Sequence, residues 1–329
     1  MMYLDQRPVA DYRMEAVDDG VILHHGDGPD RCDENGAREA VLFEEEGVYH
    51  LFYDGCGSDG WLACLATSTD LKHWKKHGPI LDYGLPGEMD HATATSPWVY
   101  KEGATWHMFY VGSPLATPPP DRIPMMPYLT MKACATSLAG PWMKQPGVVP
   151  FRTKPGTHYS DTASPGHIIR YGGEYLQFFS AQVIEGNRVR RSIGLARTQD
   201  LNGAWSIDPE PIVPLEEQIE NSSVYYEPAN ETWFLFTNHI GLDEQGGEYT
   251  DAIWVYWSSD PTVWNPAHKA VVLDGRNCSW SKVCIGLATV LQVGDRLAMV
   301  YDAPGGTSAS HMNRDIGLAW LALPLVPPK

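Results

Sequence analysis

Apolar residues in this chain come in short runs, often alternating with polar ones, and each run is bounded by Gly, Asp or Ser. That punctuation marks strands rather than helices. Residues 38–74 show the pattern most fully. The run Ala40-Val41-Leu42-Phe43 passes through the acidic turn Glu44-Glu45-Glu46-Gly47 into Val48-Tyr49-His50-Leu51-Phe52-Tyr53. A Gly-rich loop then leads to Leu62-Ala63-Cys64-Leu65-Ala66, and a turn at Ser68-Thr69-Asp70-Leu71 ends at Trp74. The spacing predicts three strands, with a fourth beyond Trp74.

The unit returns down the chain. Its second strand is repeated as Trp106-His107-Met108-Phe109-Tyr110, Tyr175-Leu176-Gln177-Phe178-Phe179, Trp233-Phe234-Leu235-Phe236 and Leu297-Ala298-Met299-Val300-Tyr301. Trp142, Trp205 and Trp264 repeat the position of Trp74, between outer strands, and read as packing residues. Five copies roughly 55–70 residues apart predict an all-β chain folded as a five-bladed β-propeller, with four antiparallel strands per blade. The repeats run nearly end to end, so residues 1–329 are expected to form one domain. The fifth copy stops after its third strand, and Val21-Ile22-Leu23 is the natural candidate for its missing outer strand.

Composition narrows the partners. A net charge of −17 disfavours nucleic acid and anionic membrane, whose phosphates demand Lys and Arg. No apolar run approaches membrane-spanning length, and Met1-Met2-Tyr3-Leu4-Asp5-Gln6 lacks the apolar core of a secretion signal, so a cytoplasmic location is expected. The six cysteines show no C-x-x-C spacing. Cys278 and Cys284 flank a short loop and could bridge, but reduced thiols are the expected state. The oligomeric state is not encoded in any feature of the pattern.

Propeller topology decides which residues converge. Each inner strand starts at one end of the axis, and the loop joining second and third strands returns to that end. The loops expected there span residues 54–59, 113–128, 181–190, 239–249 and 302–314. Glu39 and Glu220 read as equivalent inner-strand positions of the first and fourth copies, and Asp161 lies three residues before the corresponding position of the third. Several carboxylates near one axis are costly to desolvate, which gives a fold little structural reason to gather them. Glycoside hydrolysis needs such a set: one carboxylic acid to protonate the leaving oxygen and one carboxylate across the sugar. Mutual repulsion would keep one of them protonated near neutral pH. Each also has a plain alternative: Glu39 as partner of Arg38, Glu220 as a solvated loop residue, Asp161 as a turn former.

Arg38, Asp54, Asp90, His91, His239, Asp302, His311 and Arg314 are placed near the same mouth and are candidates for hydrogen bonds to substrate. Trp98, just inside an inner strand, either stacks on a sugar face or fills the core. Arg188, Arg190, Arg191 and Arg314 leave room for phosphate as an alternative nucleophile, and a sugar-binding propeller without catalysis is the third reading.

The segments EAVLFEEEGVYHLFYDG, SPWVYKEGATWHMFYVG, SPGHIIRYGGEYLQFFS and ENSSVYYEPANETWFLFTN, each followed by a GLATSTDLxxW-like strand and turn, resemble the five-bladed propeller glycoside hydrolases: family 43 and its relatives, families 32, 62, 117 and 130. The resemblance covers nearly the whole chain. It implies an inverting hydrolase, and the loop lengths suggest a closed pocket and exo action, removing a terminal furanosyl or pyranosyl residue from an oligosaccharide or glycoside. Glu39 falls on the family's base position and Glu220 on its acid position. Ser164 falls where the family has an acid-tuning Asp, a role that passes to nearby Asp161. The sequence departs from the family pattern in having Glu rather than Asp at 39, and ENSSV rather than Glu-x-Pro at 220. The resemblance requires no cofactor and allows a structural cation on the central axis, for which no residue pattern spells out ligands.

Overall fold

The computed structural model describes residues 2–3, 5–148, 150–186, 188–242 and 247–328. Strands dominate, with short 3-10 turns at Pro29–Arg31 and Leu215–Glu217 and no α-helix among the described residues. The strands pair as antiparallel meanders that follow the sequence repeats. Unit 1 is Ala37–Glu45, Val48–Gly57, Gly60–Ser68 and Lys75–Pro79. Unit 2 is Thr93–Glu102, Thr105–Ser113, Tyr128–Ala135 and Met143–Lys144. In unit 3 the inner strand is split into Thr162–Ser164 and Ile168–Tyr171, followed by Glu174–Glu185, Arg188–Thr198 and Ser206–Ile207. Unit 4 is Ile219–Glu227, Thr232–Leu242, Glu248–Ser258 and Lys269–Asp274.

Unit 5 takes Thr289–Val293, Arg296–Ala303 and Asp315–Ala322 from the C-terminal end, and its outer strand, Val17–Leu23, from the N-terminal end. The apolar Val21-Ile22-Leu23 thus has the partner expected of it. Tyr12–Arg13, which the pattern did not suggest, adds a parallel edge to unit 4.

The core lies between units rather than within them. Five buried clusters join unit 1 to 2, 2 to 3, 3 to 4, 4 to 5 and 5 back to 1. The repeated tryptophans hold these contacts. Trp142 meets Phe52 edge-on at 6.3 Å, Trp205 meets Phe109 at 5.5 Å and Trp264 meets Phe178 at 6.4 Å. Each is a turn residue of one unit on the second strand of the unit before it. Such edge-to-face pairs add about 0.5–1.5 kcal/mol beyond the burial itself. Trp74 repeats the arrangement against the cluster joining units 5 and 1.

One sequence expectation needs correcting. Much of 181–190 and 239–249 is not loop: the hairpin strands of units 3 and 4 run on to Glu185 and Leu242 and resume at Arg188 and Glu248. Asn187 and residues 243–246 fall outside the described set. All six cysteines are free, Cys278 and Cys284 included, as expected of them. Among the described residues no helix is long and apolar enough to cross a membrane.

Candidate active site

The inner strands of units 1, 2 and 4 share a backbone device. Their pairing slips between Arg38 and Val41, between Thr95 and Trp98, and between Glu220 and Ser223. At each slip one residue is left-handed: Glu39 at φ 52°, Ser96 at 48° and Asn221 at 57°. Asn tolerates this conformation, but Glu and Ser do not favour it, and a strained residue costs roughly 1–3 kcal/mol unless its surroundings hold it. Here the hold is a hydrogen bond from the strained N–H to the second strand of the preceding unit. Glu39 N donates to Asp302 Oδ2 at 2.7 Å, Ser96 N to Asp54 Oδ1 at 2.6 Å, and Asn221 N to Ser180 Oγ at 2.8 Å. In unit 3 the corresponding residue is Pro165, which has no N–H to cap, and the facing residue of unit 2 is Val111, which has no acceptor.

Cross-strand pairing also settles which positions are equivalent. Arg38 faces Asp54, Thr95 faces Val111, Ser164 faces Ser180 and Glu220 faces Asn238. Glu220 therefore corresponds to Arg38, and Glu39 to Asn221: the two carboxylates are one residue out of step, not equivalent. The left-handed turn at Glu39 brings its side chain back to the same mouth, because successive side chains of a regular strand would face opposite ways.

Both carboxylates line one pocket of ≈ 740 Å³, its open mouth included. Arg38, Ser96, Tyr128, Ser164, Arg191, Asn221 and His311 share its wall. Their surroundings differ. Glu220 Oε2 accepts from Arg191 Nη1 at 2.5 Å, and the rest of that guanidinium grips Glu248 at 3.0 and 2.8 Å. Burial pushes the Glu220 carboxyl above the usual glutamate range; Arg191 opposes the shift, and Glu39 and Glu248 add to it. The side chain keeps 22% of its exposure, and this opening moderates the push.

Glu39 sits in a short chain of hydroxyl and carboxyl groups. Ser96 Oγ is 2.6 Å from Glu39 Oε2 and 3.0 Å from Asp54 Oδ2. A hydroxyl has one proton to give. Asp54 is fully enclosed, and burial followed by the Glu39 charge raises its carboxyl well above the usual range, which favours its protonated form. With its proton on, Asp54 would donate to Ser96 Oγ and leave the Ser96 proton for Glu39. Behind Glu39, Asp302 is bound by Arg314 Nη1 at 2.5 Å, and Arg314 Nη2 lies 2.8 Å from Cys284 Sγ.

Of the residues expected at the mouth, Arg38, Glu39, Glu220 and His311 reach the pocket wall, while Asp54, Asp302 and Arg314 stand behind it as supports. The others are elsewhere. Asp161 accepts from Ser160 Oγ and from Ile184 N at 2.6 and 3.0 Å, tied to its own hairpin, and the third-unit position at the pocket is Ser164. Asp90 is buried under Tyr110 and Lys144, and His91 lines a separate cleft with Tyr83 and Arg122. Trp98 is core, packed 5.3 Å from His167. His239 is fully buried, stacked on Trp254 at 3.8 Å and bonded to Arg7 and Asp251.

The repeat pattern set Ser96, Tyr128 and Glu248 at the mouth without a role, gave Asn221 none, and offered Arg191 only as a phosphate ligand. No cluster of three or more His, Cys, Asp or Glu side chains placed to hold a metal occurs among the described residues, so nothing in this site is assigned to a cation.

No protein-family model matches the chain, and no curated protein matches it in sequence. Solved structures do match in shape. One is a glycoside hydrolase, at TM-score 0.71 and 14% identity over 95% of this chain and 94% of that one. Another is a family 117 glycoside hydrolase of the marine bacterium Zobellia galactanivorans, at 0.67 and 15% over 97% and 94%. A third is the catalytic domain of the family 62 α-L-arabinofuranosidase of Coprinopsis cinerea, at 0.64 and 11% over 94% and 97%. The likeness is one of fold, and the fold is that of the β-propeller glycoside hydrolases.

Proposed function

We propose that this chain is a single-domain, five-bladed propeller that hydrolyses a glycosidic bond with inversion, releasing a terminal sugar from an oligosaccharide or glycoside. The observation that carries the reading is that two glutamates share one pocket with different partners, Arg191 for Glu220 and Ser96 for Glu39. Glu220, pushed up by burial and by its acidic neighbours, holds a proton for the leaving oxygen. Glu39, receiving a hydrogen bond from Ser96, takes the proton of the attacking water. Arg191 keeps Glu220 oriented while Glu248 balances the arginine's charge. Glu39 and Glu248 thus act on Glu220 in the way first expected of Asp161. The five inter-unit clusters, which return from unit 5 to unit 1, support the five-bladed count.

Screening aryl arabinosides, xylosides, galactosides and fructosides, with NMR of the first-formed product, tests this. Cleavage with the opposite anomer formed first, lost in Glu39→Gln and lowered in Glu220→Gln most for the least acidic leaving groups, is the expected result. Full activity in both variants, or sugar binding with no cleavage of any glycoside, would remove it.

A further inference from the structure

Three arginines are nine-tenths or more buried among the described residues: Arg7, Arg314 and Arg38. Arg7 is paired with Asp5 and Asp251, and Arg314 with Asp302. Arg38 has no carboxylate within ion-pair distance among the described residues. Its neighbour Glu39 is turned away by the left-handed backbone and bonded to Ser96 instead. Within that same set, the one side-chain bond of Arg38 runs from Nη1 to His311 Nδ1, a long 3.4 Å, and its buried Nε has no acceptor. A buried charged donor without a partner is costly, and a fold does not keep one without return.

The guanidinium is also held ready. Its Cζ stands 4.0 Å from the Trp61 ring centroid, and Trp61 is itself fully buried and fixed by Nε1 donating to Asp121 O at 3.0 Å. A planar fork stacked on an indole and lining the pocket matches a carboxylate in two-pronged fashion. If His311 accepts from Arg38 through Nδ1, its proton is on Nε2, where it supplies a second donor at the rim. The Arg191 guanidinium is already spent on Glu220 and Glu248. The whole molecule, at −17, repels anions, so attraction has to be local, where screening by salt is weakest.

We infer that the pocket takes a sugar bearing a carboxylate, a glycosiduronic acid, with the carboxylate seated on Arg38. This rests on the glycosidase reading but is separable from it. Calorimetric titration of the full chain with glucuronate and galacturonate, with glucose and galactose, and with inorganic phosphate is the test, in wild type, Arg38→Gln and Arg38→Lys. A uronate preference of at least about tenfold over the matched neutral sugar is expected. Arg38→Gln should abolish it, while Arg38→Lys, which keeps the charge and loses the fork, should retain part. Thermal unfolding of both variants shows whether each still folds.

Equal affinity for uronate and neutral sugar overturns the inference, as does a preference surviving in Arg38→Gln. Binding of phosphate alone, or of nothing tried, overturns it too. Aryl uronides and their neutral counterparts, assayed alongside, separate the two claims. An Arg38-dependent uronate preference without any cleavage keeps this inference and ends the hydrolase reading. Cleavage of neutral glycosides without a uronate preference does the reverse.

Discussion

The inner strands of units 1 and 4 are built alike and do different things with the same residue type. Both slip their pairing by a left-handed residue, and both receive a cap from the unit before. In unit 4 the glutamate precedes the bend and lies against Arg191; in unit 1 it occupies the bend and lies against Ser96. One residue of offset therefore sets one carboxylate against an arginine and the other against a serine hydroxyl. The lesson is that the backbone, and not the choice of Glu or Asp, differentiates the two groups.

The largest effect on this comparison should come from removing the unit 1 carboxylate. Glu39→Gln is expected to lower kcat/KM about 10²–10⁴-fold, the usual worth of a general base, with its thermal midpoint nearly unchanged. Measured kinetics within threefold of wild type would break the assignment. Next, Asp302→Ala leaves Arg314 buried without its carboxylate and Glu39 N without its acceptor. A loss of about 3–5 kcal/mol in denaturant unfolding is expected, together with reduced activity. Ser180→Ala, which uncaps Asn221 in unit 4 but leaves no charge unpaired, should cost only about 1 kcal/mol in the same experiment. Ser96→Ala sharpens the comparison further, since it touches Glu39 and not Glu220. A fall in kcat of about 10–100-fold fits loss of a hydrogen bond to a charged group.

The smallest effect should be that of Asp54→Asn, because an amide reproduces a protonated carboxyl that accepts from Ser96 N and donates to Ser96 Oγ. The sign of its pH dependence is fixed. A carboxyl raised in the folded state contributes stability that is present below the ordinary Asp value, about 3.9, and is lost as pH rises through the raised one. Thermal midpoints followed from acid to neutral pH should show Asp54→Asn gaining on wild type. A variant that loses ground as pH rises would mean Asp54 is ionised.

Much of this was legible in the chain. The apolar runs gave the strands because one buried face has a period of two, and the recurrent tryptophans read as packing because every copy places one at the same turn. Val21-Ile22-Leu23 was recognisable as a strand without a local partner. The bends were not legible: only Asn221 among the three residues has any taste for positive φ, so nothing marked Glu39 or Ser96. Without the bends, Glu39 and Glu220 looked equivalent. His239 was misplaced because its partner Arg7 lies far along the chain, and Trp98, which the sequence left between two roles, is core beside His167. Asp161 looked like a site residue only by its nearness to Ser164.

The account stands most directly on Glu220 as the proton donor. The test is the ratio of wild-type to Glu220→Gln kcat/KM for one sugar carrying a series of phenol leaving groups. The ratio should climb from within about tenfold for the most acidic phenol to about 10³ or more for the least acidic, which needs the proton most. A ratio that stays flat across the series, or a variant as active as wild type on the poorest leaving group, would contradict the account.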